Sequence, residues 1–172
     1  MNISPQAEAI FDAKLSELLL DCNKRIVKIK MEFNKRNVLY SSMTARAIHD
    51  HIENCIKECS RISISSTIQA FESFELKISD TTLTELLNCY DDNFSKGSQQ
   101  LEAIGRSETS QICQSLSNST LISWDNLYQI LRNTQILAYA EIRQYHAGLM
   151  KKRKKWYEHP LISGVIKAIK IF

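Results

Sequence analysis

Glycine and proline are scarce in this 172-residue chain: there are 4 Gly and 2 Pro, the prolines near the two ends at Pro5 and Pro160. Sheet proteins need many tight turns, and turns draw on both residues, so the scarcity argues against a strand-rich fold and for long helices. No CxxC pair occurs, and the cysteine count is odd: Cys22, Cys55, Cys59, Cys89 and Cys113. Free thiols in a reducing, cytoplasmic setting are the simplest reading. The opening MNISPQAEAIF has no basic n-region and no apolar h-region, so no secretory leader is expected. No apolar run is long enough for a transmembrane helix. P-loop, dinucleotide-binding, HExxH and GxSxG patterns are missing as well, so no nucleotide, metalloprotease or serine-hydrolase site is written in the chain.

What is present is helical periodicity. A hydrophobic share of 44% against 24% charged residues is enough for a core in a chain of this length. Ser4-Pro5 reads as an N-cap followed by proline at the first helical position. Phe11, Leu15, Leu18, Cys22, Ile26, Ile29 and Phe33 then recur at gaps of three and four, which predicts a helix over 5–36. Asn37, Ser41 and Ser42 mark an interruption, with one long bent helix as the alternative. A second helix over 42–77 carries Ile48, Ile52, Cys55, Cys59 and Ile62, after which the stripe meets Ser66 and shifts to Ile64, Ile68, Phe71, Phe74 and Ile78. Residues 60–67, rich in Ser and β-branched side chains, are its weakest part.

Thr82 with Glu85 forms a capping-box pattern that opens a third helix. Its seam is Leu83, Leu87, Tyr90, Phe94, Gly97, Leu101 and Ile104, weakening after Gly105 until Ile112 and Leu116 pick it up again, and Gly97 invites close approach of a neighbour. A fourth helix runs to about residue 157 with Trp124, Leu127, Leu131, Ala138, Ile142, Tyr145 and Leu149 inward. The expected fold is all-α: an elongated antiparallel four-helix bundle over residues 1–150 with a short C-terminal amphipathic helix, the long seams favouring a homo-oligomer.

The last stretch, 151–172, is a segment of its own. It holds seven Lys/Arg and one Glu, net +6, which leaves −3 of the total +3 for residues 1–150. Lys151, Lys152, Arg153, Lys154 and Lys155 run into Trp156 and Tyr157. Beyond Pro160, Leu161, Ile162, Val165, Ile166, Ile169 and Phe172 make an apolar surface broken only by a narrow stripe of Ser163, Lys167 and Lys170. Twelve residues at about 1.5 Å reach roughly 18 Å, too short for about 30 Å of hydrocarbon. Basic run, interfacial aromatics and lysine-striped helix together describe a segment that lies on an anionic membrane surface. Docking of the apolar face on a protein partner or the chain's own domain, and contact of the basic run with RNA or DNA, are the other readings.

Two constellations could carry chemistry. His51, Cys55 and Cys59 stand at i, i+4 and i+8 on one helix face, and imidazole and thiolate suit zinc; a fourth donor would come from another helix, where Cys22 is available. Small buried residues on a core stripe show the same spacing, and the reading adopted needs no metal and no other cofactor. Arg46 with His51 and Arg153 with His159 each place a histidine five or six positions after an arginine. That spacing resembles the motif of HEPN ribonucleases. The resemblance implies an all-helical dimer in which arginine and histidine from two subunits cleave RNA without metal. Ala47 follows Arg46, where the family commonly has a polar residue; Lys154 follows Arg153. The first expectation from the whole sequence is a non-enzymatic, self-associating protein, cytoplasmic or peripheral to the membrane. A HEPN-like RNA-cleaving dimer and an adaptor whose tail docks on a protein are the alternatives.

Overall fold

A computed structural model describes residues 3–73, 78, 81–114 and 124–157. It is all-α, with four long helices and no strand among the described residues: α1 (Ser4–Lys35), α2 (Ser42–Ser73), α3 (Thr82–Gln114) and α4 (Asp125–Tyr157). Each has 32 or 33 residues, so each is a rod of about 48 Å. None is long and apolar enough to cross a membrane. The short apolar helix expected beyond Pro160 lies outside the described residues.

The helix ends follow local chemistry, displaced by one residue from the sequence reading in two cases. Proline stands in the first turn of α1 as expected, but Ile3 rather than Ser4 occupies the cap, its carbonyl accepting from Ala7 N–H at 3.0 Å. At α3 the cap is Thr81, not Thr82. Its carbonyl accepts the Glu85 amide at 3.0 Å, and its hydroxyl faces the Glu85 carboxylate at 3.5 Å. The interruption near residue 37 is a full chain reversal. Asn37 adopts φ 57°, while Val38 N–H reaches back to the Phe33 carbonyl and Asn37 N–H to that of Asn34. This pairing ends a helix with a left-handed residue, a position that Asn tolerates. Ser41 then caps α2, its hydroxyl oxygen accepting from Thr44 N–H at 3.2 Å. Helices α1 and α2 are therefore separate.

Helix α2 is the centre of the packing. It touches α1, α3 and α4, whereas α1 and α4 do not meet among the described residues. This explains the one stretch where the periodicity misleads. Ser60, Ser63, Ser66 and Thr67 are all buried; the apolar stripe does not simply move sideways at Ser66. A helix with neighbours on three sides has little surface left to be polar, and small side chains let those neighbours approach. Nor does the helix weaken at 60–67. Ser63 donates to the Cys59 carbonyl at 2.9 Å and Ser65 to that of Ile62 at 3.0 Å, so these hydroxyls are satisfied within the helix.

Between helices, polar clamps supplement the core. Lys96 of α3 meets Glu8 at 3.0 Å and Asp12 at 2.8 Å on α1. Asp91 of α3 accepts from Gln135 at 2.8 Å and Tyr139 at 2.5 Å on α4. Lys30 pairs with Glu108. The α3 seam resumes at Ile112, which is buried as expected, while Leu116 lies outside the described residues; Gly105 and Thr109 between are buried too, and the Thr109 hydroxyl donates to the Gly105 carbonyl at 2.8 Å.

Candidate functional site

Helix α4 runs without a break through the basic segment, so Lys151 to Tyr157 form its last two turns. Lys151 and Lys152 are exposed. Cations there complement the partial negative charge of a helix C-terminus. Leu161, Ile162, Val165, Ile166, Ile169, Phe172 and His159 lie outside the described residues.

Arg46 is exposed near the start of α2, while His51 is half-buried one turn and a half later. Five helical steps separate two side chains by about 140°, so they do not share a face of α2. The imidazole is directed instead to the α1–α2 contact. There the structure joins His51 and Cys55 to Cys22 of α1, with their three donor atoms all within 4.8 Å of one another. Cys55 Sγ lies 3.5 Å from His51 Nε2. Cys59, the third residue of the sequence pattern, is not in this group. It faces α3, where its Sγ would lie 2.4 Å from a Cβ at Gly97. One further turn carries it about 6 Å along α2, to the place where Gly97 of α3 meets both α2 and α1.

The cluster is electrostatically uneven. A hydrogen bond between the two thiols, then burial, raises Cys22, and the same bond lowers Cys55 against the opposing effect of burial. Burial lowers His51, opposed by a hydrogen bond to the Cys22 backbone and assisted by the charge of Arg25. Burial pushes the Cys59 thiol up to about 12, which marks it as an inert core residue. All five cysteines are free.

Sequence reasoning passed over a second feature, the buried His49 at the entry to α2. Its Nδ1 lies 3.3 Å from Glu53, and its ring meets Trp124 edge-on at 4.9 Å between centroids. Arg106 covers the same indole at 5.0 Å. The signal was available in the i,i+4 spacing of His49 and Glu53, but nothing in the sequence brings Trp124 to them. A shallow groove of about 510 Å³ lies between α2 and α4, lined by Lys57, Arg61, Ile64, Leu137 and Glu141 among others.

Three tyrosines tie the helices together and give the fold a pH limit. Burial raises Tyr90, Tyr139 and Tyr145, the last to about 12, with the Glu72 charge and its hydrogen bond adding to the effect. The folded chain holds these phenolic protons more tightly than the unfolded chain, whose tyrosines titrate near pH 10. Their contribution to stability is therefore complete below about pH 10 and is lost as pH rises toward the folded-state values. Urea midpoints followed by circular dichroism are expected to fall steadily from about pH 10 upward, and Tyr145→Phe is expected to flatten part of that slope.

No protein-family model matches the chain, nor does any curated protein or solved structure.

Proposed function

We propose that the chain is a non-enzymatic, self-associating helical protein that contacts an anionic membrane surface through Lys151–Phe172. In this reading the four helices form an elongated antiparallel bundle closed by a short C-terminal amphipathic helix. The observation that carries it is the tail sequence itself, five consecutive cations and two interfacial aromatics ahead of a lysine-striped apolar segment. Each cation near an anionic surface contributes about 1 kcal/mol. Trp156 and Tyr157 suit the headgroup level, and Leu161 to Phe172 would lie sideways below it. Continuation of α4 through the basic run, with Lys151 and Lys152 exposed, supports this reading.

Self-association has separate support. Leu20, Val27 and Met31 on α1 are 57%, 54% and 57% exposed and recur at gaps of seven and four, as in the apolar stripe of a helix that pairs with another. A second copy of α1 would cover them. Several tails acting from one oligomer would bind far more tightly than one.

Liposome co-sedimentation decides the membrane part. The full chain is expected to pellet with vesicles containing anionic lipid, and to be released by high salt; a chain ending at Met150 is expected to stay in the supernatant. Equal binding by both chains, or binding to neutral vesicles that ignores salt, would remove the reading. Light scattering of Val27→Glu, compared with the parent chain, tests self-association: an unchanged mass would move the contact away from α1.

A further inference from the structure

We propose that Cys22, His51 and Cys55 form a binding site for a thiophilic divalent cation, Zn²⁺, that ties the middle of α1 to α2. The proposal is independent of the tail and of the membrane reading.

The geometry has the right scale. Zinc bonds to thiolate at about 2.3 Å and to imidazole at about 2.05 Å; tetrahedral angles between such bonds place S and N roughly 3.5 Å apart and two S atoms roughly 3.8 Å apart. Cys55 Sγ and His51 Nε2 are 3.5 Å apart, and Cys22 Sγ lies within 4.8 Å of both. An ion can enter with side-chain adjustments of under about one ångström in a tetrahedral site of this size. Two of the donors come from successive turns of α2 and the third from α1, so the geometry is held by helices already packed together.

The chemistry also fits. Two thiolates and an imidazole are borderline-to-soft donors, which favour Zn²⁺ over Mg²⁺ or Ca²⁺. Each thiol would release its proton to solvent as the ion binds, so Zn²⁺ with two thiolates is neutral overall. Neutrality suits a place where Cys22 and Cys55 are only 1% and 5% exposed. Because His51 is half-exposed, water can reach the fourth position. No general base stands beside it among the residues that share the cluster, so the role assigned to the ion is a cross-link between α1 and α2.

The test uses the full chain, reduced and stripped of metal, titrated with Co²⁺ as the spectroscopic probe and then with Zn²⁺. One equivalent of Co²⁺ is expected to give intense thiolate-to-metal absorption and tetrahedral visible bands, both abolished by Zn²⁺. Cys59→Ser is expected to bind as the parent does. Cys22→Ser and Cys55→Ser are each expected to weaken binding at least about 100-fold, beyond what loss of an outer-shell partner causes. His51→Gln, at a half-exposed position that tolerates the change, is expected to weaken binding while leaving helical circular dichroism intact; it decides the matter where a buried cysteine variant unfolds. The proposal is overturned by the absence of thiolate-to-cobalt absorption in the reduced chain, by bands that survive Cys22→Ser or His51→Gln, or by recovery of a Cys22–Cys55 disulfide in place of metal binding.

Discussion

Gly97→Val is expected to destabilise the fold by about 3 kcal/mol, near the upper end for overpacking a tight core. Gly97 lies inside α3, and no glycine in the described residues has a positive φ, so its backbone does not require glycine. On an exposed helix face, replacing glycine by alanine would gain about 0.8 kcal/mol. Space reverses the sign here. A Cβ would lie 2.4 Å from Cys59 Sγ, 2.9 Å from Phe11 Cζ and 3.2 Å from Leu15 Cδ1. The obstacles come from α1 and α2 at once, so relief against one neighbour presses on the other. Gly148 provides the control: a Cβ there meets nothing within 4 Å, and Gly148→Ala is expected to stabilise by about 0.8 kcal/mol. Urea titration of the two variants checks both signs. Equal small gains in both would mean that α3 does not approach α1 and α2 this closely.

Removal of the Tyr90 ring is expected to cost about 4 kcal/mol, as for other large aromatics truncated in a core. Tyr90 heads the fully buried side chains by volume. It stacks on Phe94 at 5.4 Å, meets Tyr139 of α4 edge-on at 6.0 Å, and its hydroxyl pairs with that of Ser60 on α2 at 3.0 Å. One side chain of α3 thus joins three helices. Tyr90→Phe keeps the ring and is expected to cost only about 1 kcal/mol, the net value of one buried hydrogen bond. Chemical denaturation of Tyr90→Ala and Tyr90→Phe side by side separates packing from hydrogen bonding. Similar losses in both would place the stabilisation in the hydroxyl pair rather than in the ring.

Much of the secondary structure was legible from residue spacing. Along the stripe from Phe11 to Ile29, all but the half-buried Leu18 are buried, as the 3.6-residue period demands, and Leu127, Ala138 and Ile142 face inward on α4. Gly97 sits where a neighbour comes close, as its place on the seam suggested. Cap positions were off by one residue: Thr81 and Thr82 can cap almost equally well, and at Ile3 the cap makes no side-chain hydrogen bond that sequence could signal. The stripe does not leave Ser66, which is buried with Ser60, Ser63 and Thr67, and low helix propensity over 60–67 gives way to packing against three neighbours. Three of the four hydroxyls are paired, Ser63 with the Cys59 carbonyl, Ser60 with Tyr90 and Thr67 with Cys89 at 3.6 Å, while the Ser66 hydroxyl is buried without a partner among the described residues.

The candidate cluster divides along the same line. A pattern along one chain can place His51, Cys55 and Cys59 on one stripe of α2, because helical spacing is local. It cannot say which neighbour each turn of that stripe meets. Successive turns of that stripe lie about 6 Å apart along α2 and so meet different neighbours: Cys55 meets Cys22, and Cys59 meets Gly97 where α3 approaches both α2 and α1. The sequence by itself determined the all-α class, the four helices to within a few residues, and the separate basic, aromatic and apolar character of residues 151–172. Those properties follow from periodicity, capping chemistry and composition, which act over a few residues. Only the tertiary structure decided that α2 is enclosed on three sides and that Cys22, rather than Cys59, completes the group with His51 and Cys55. These depend on which helices become neighbours, a choice made by packing across stretches of chain that no local spacing connects.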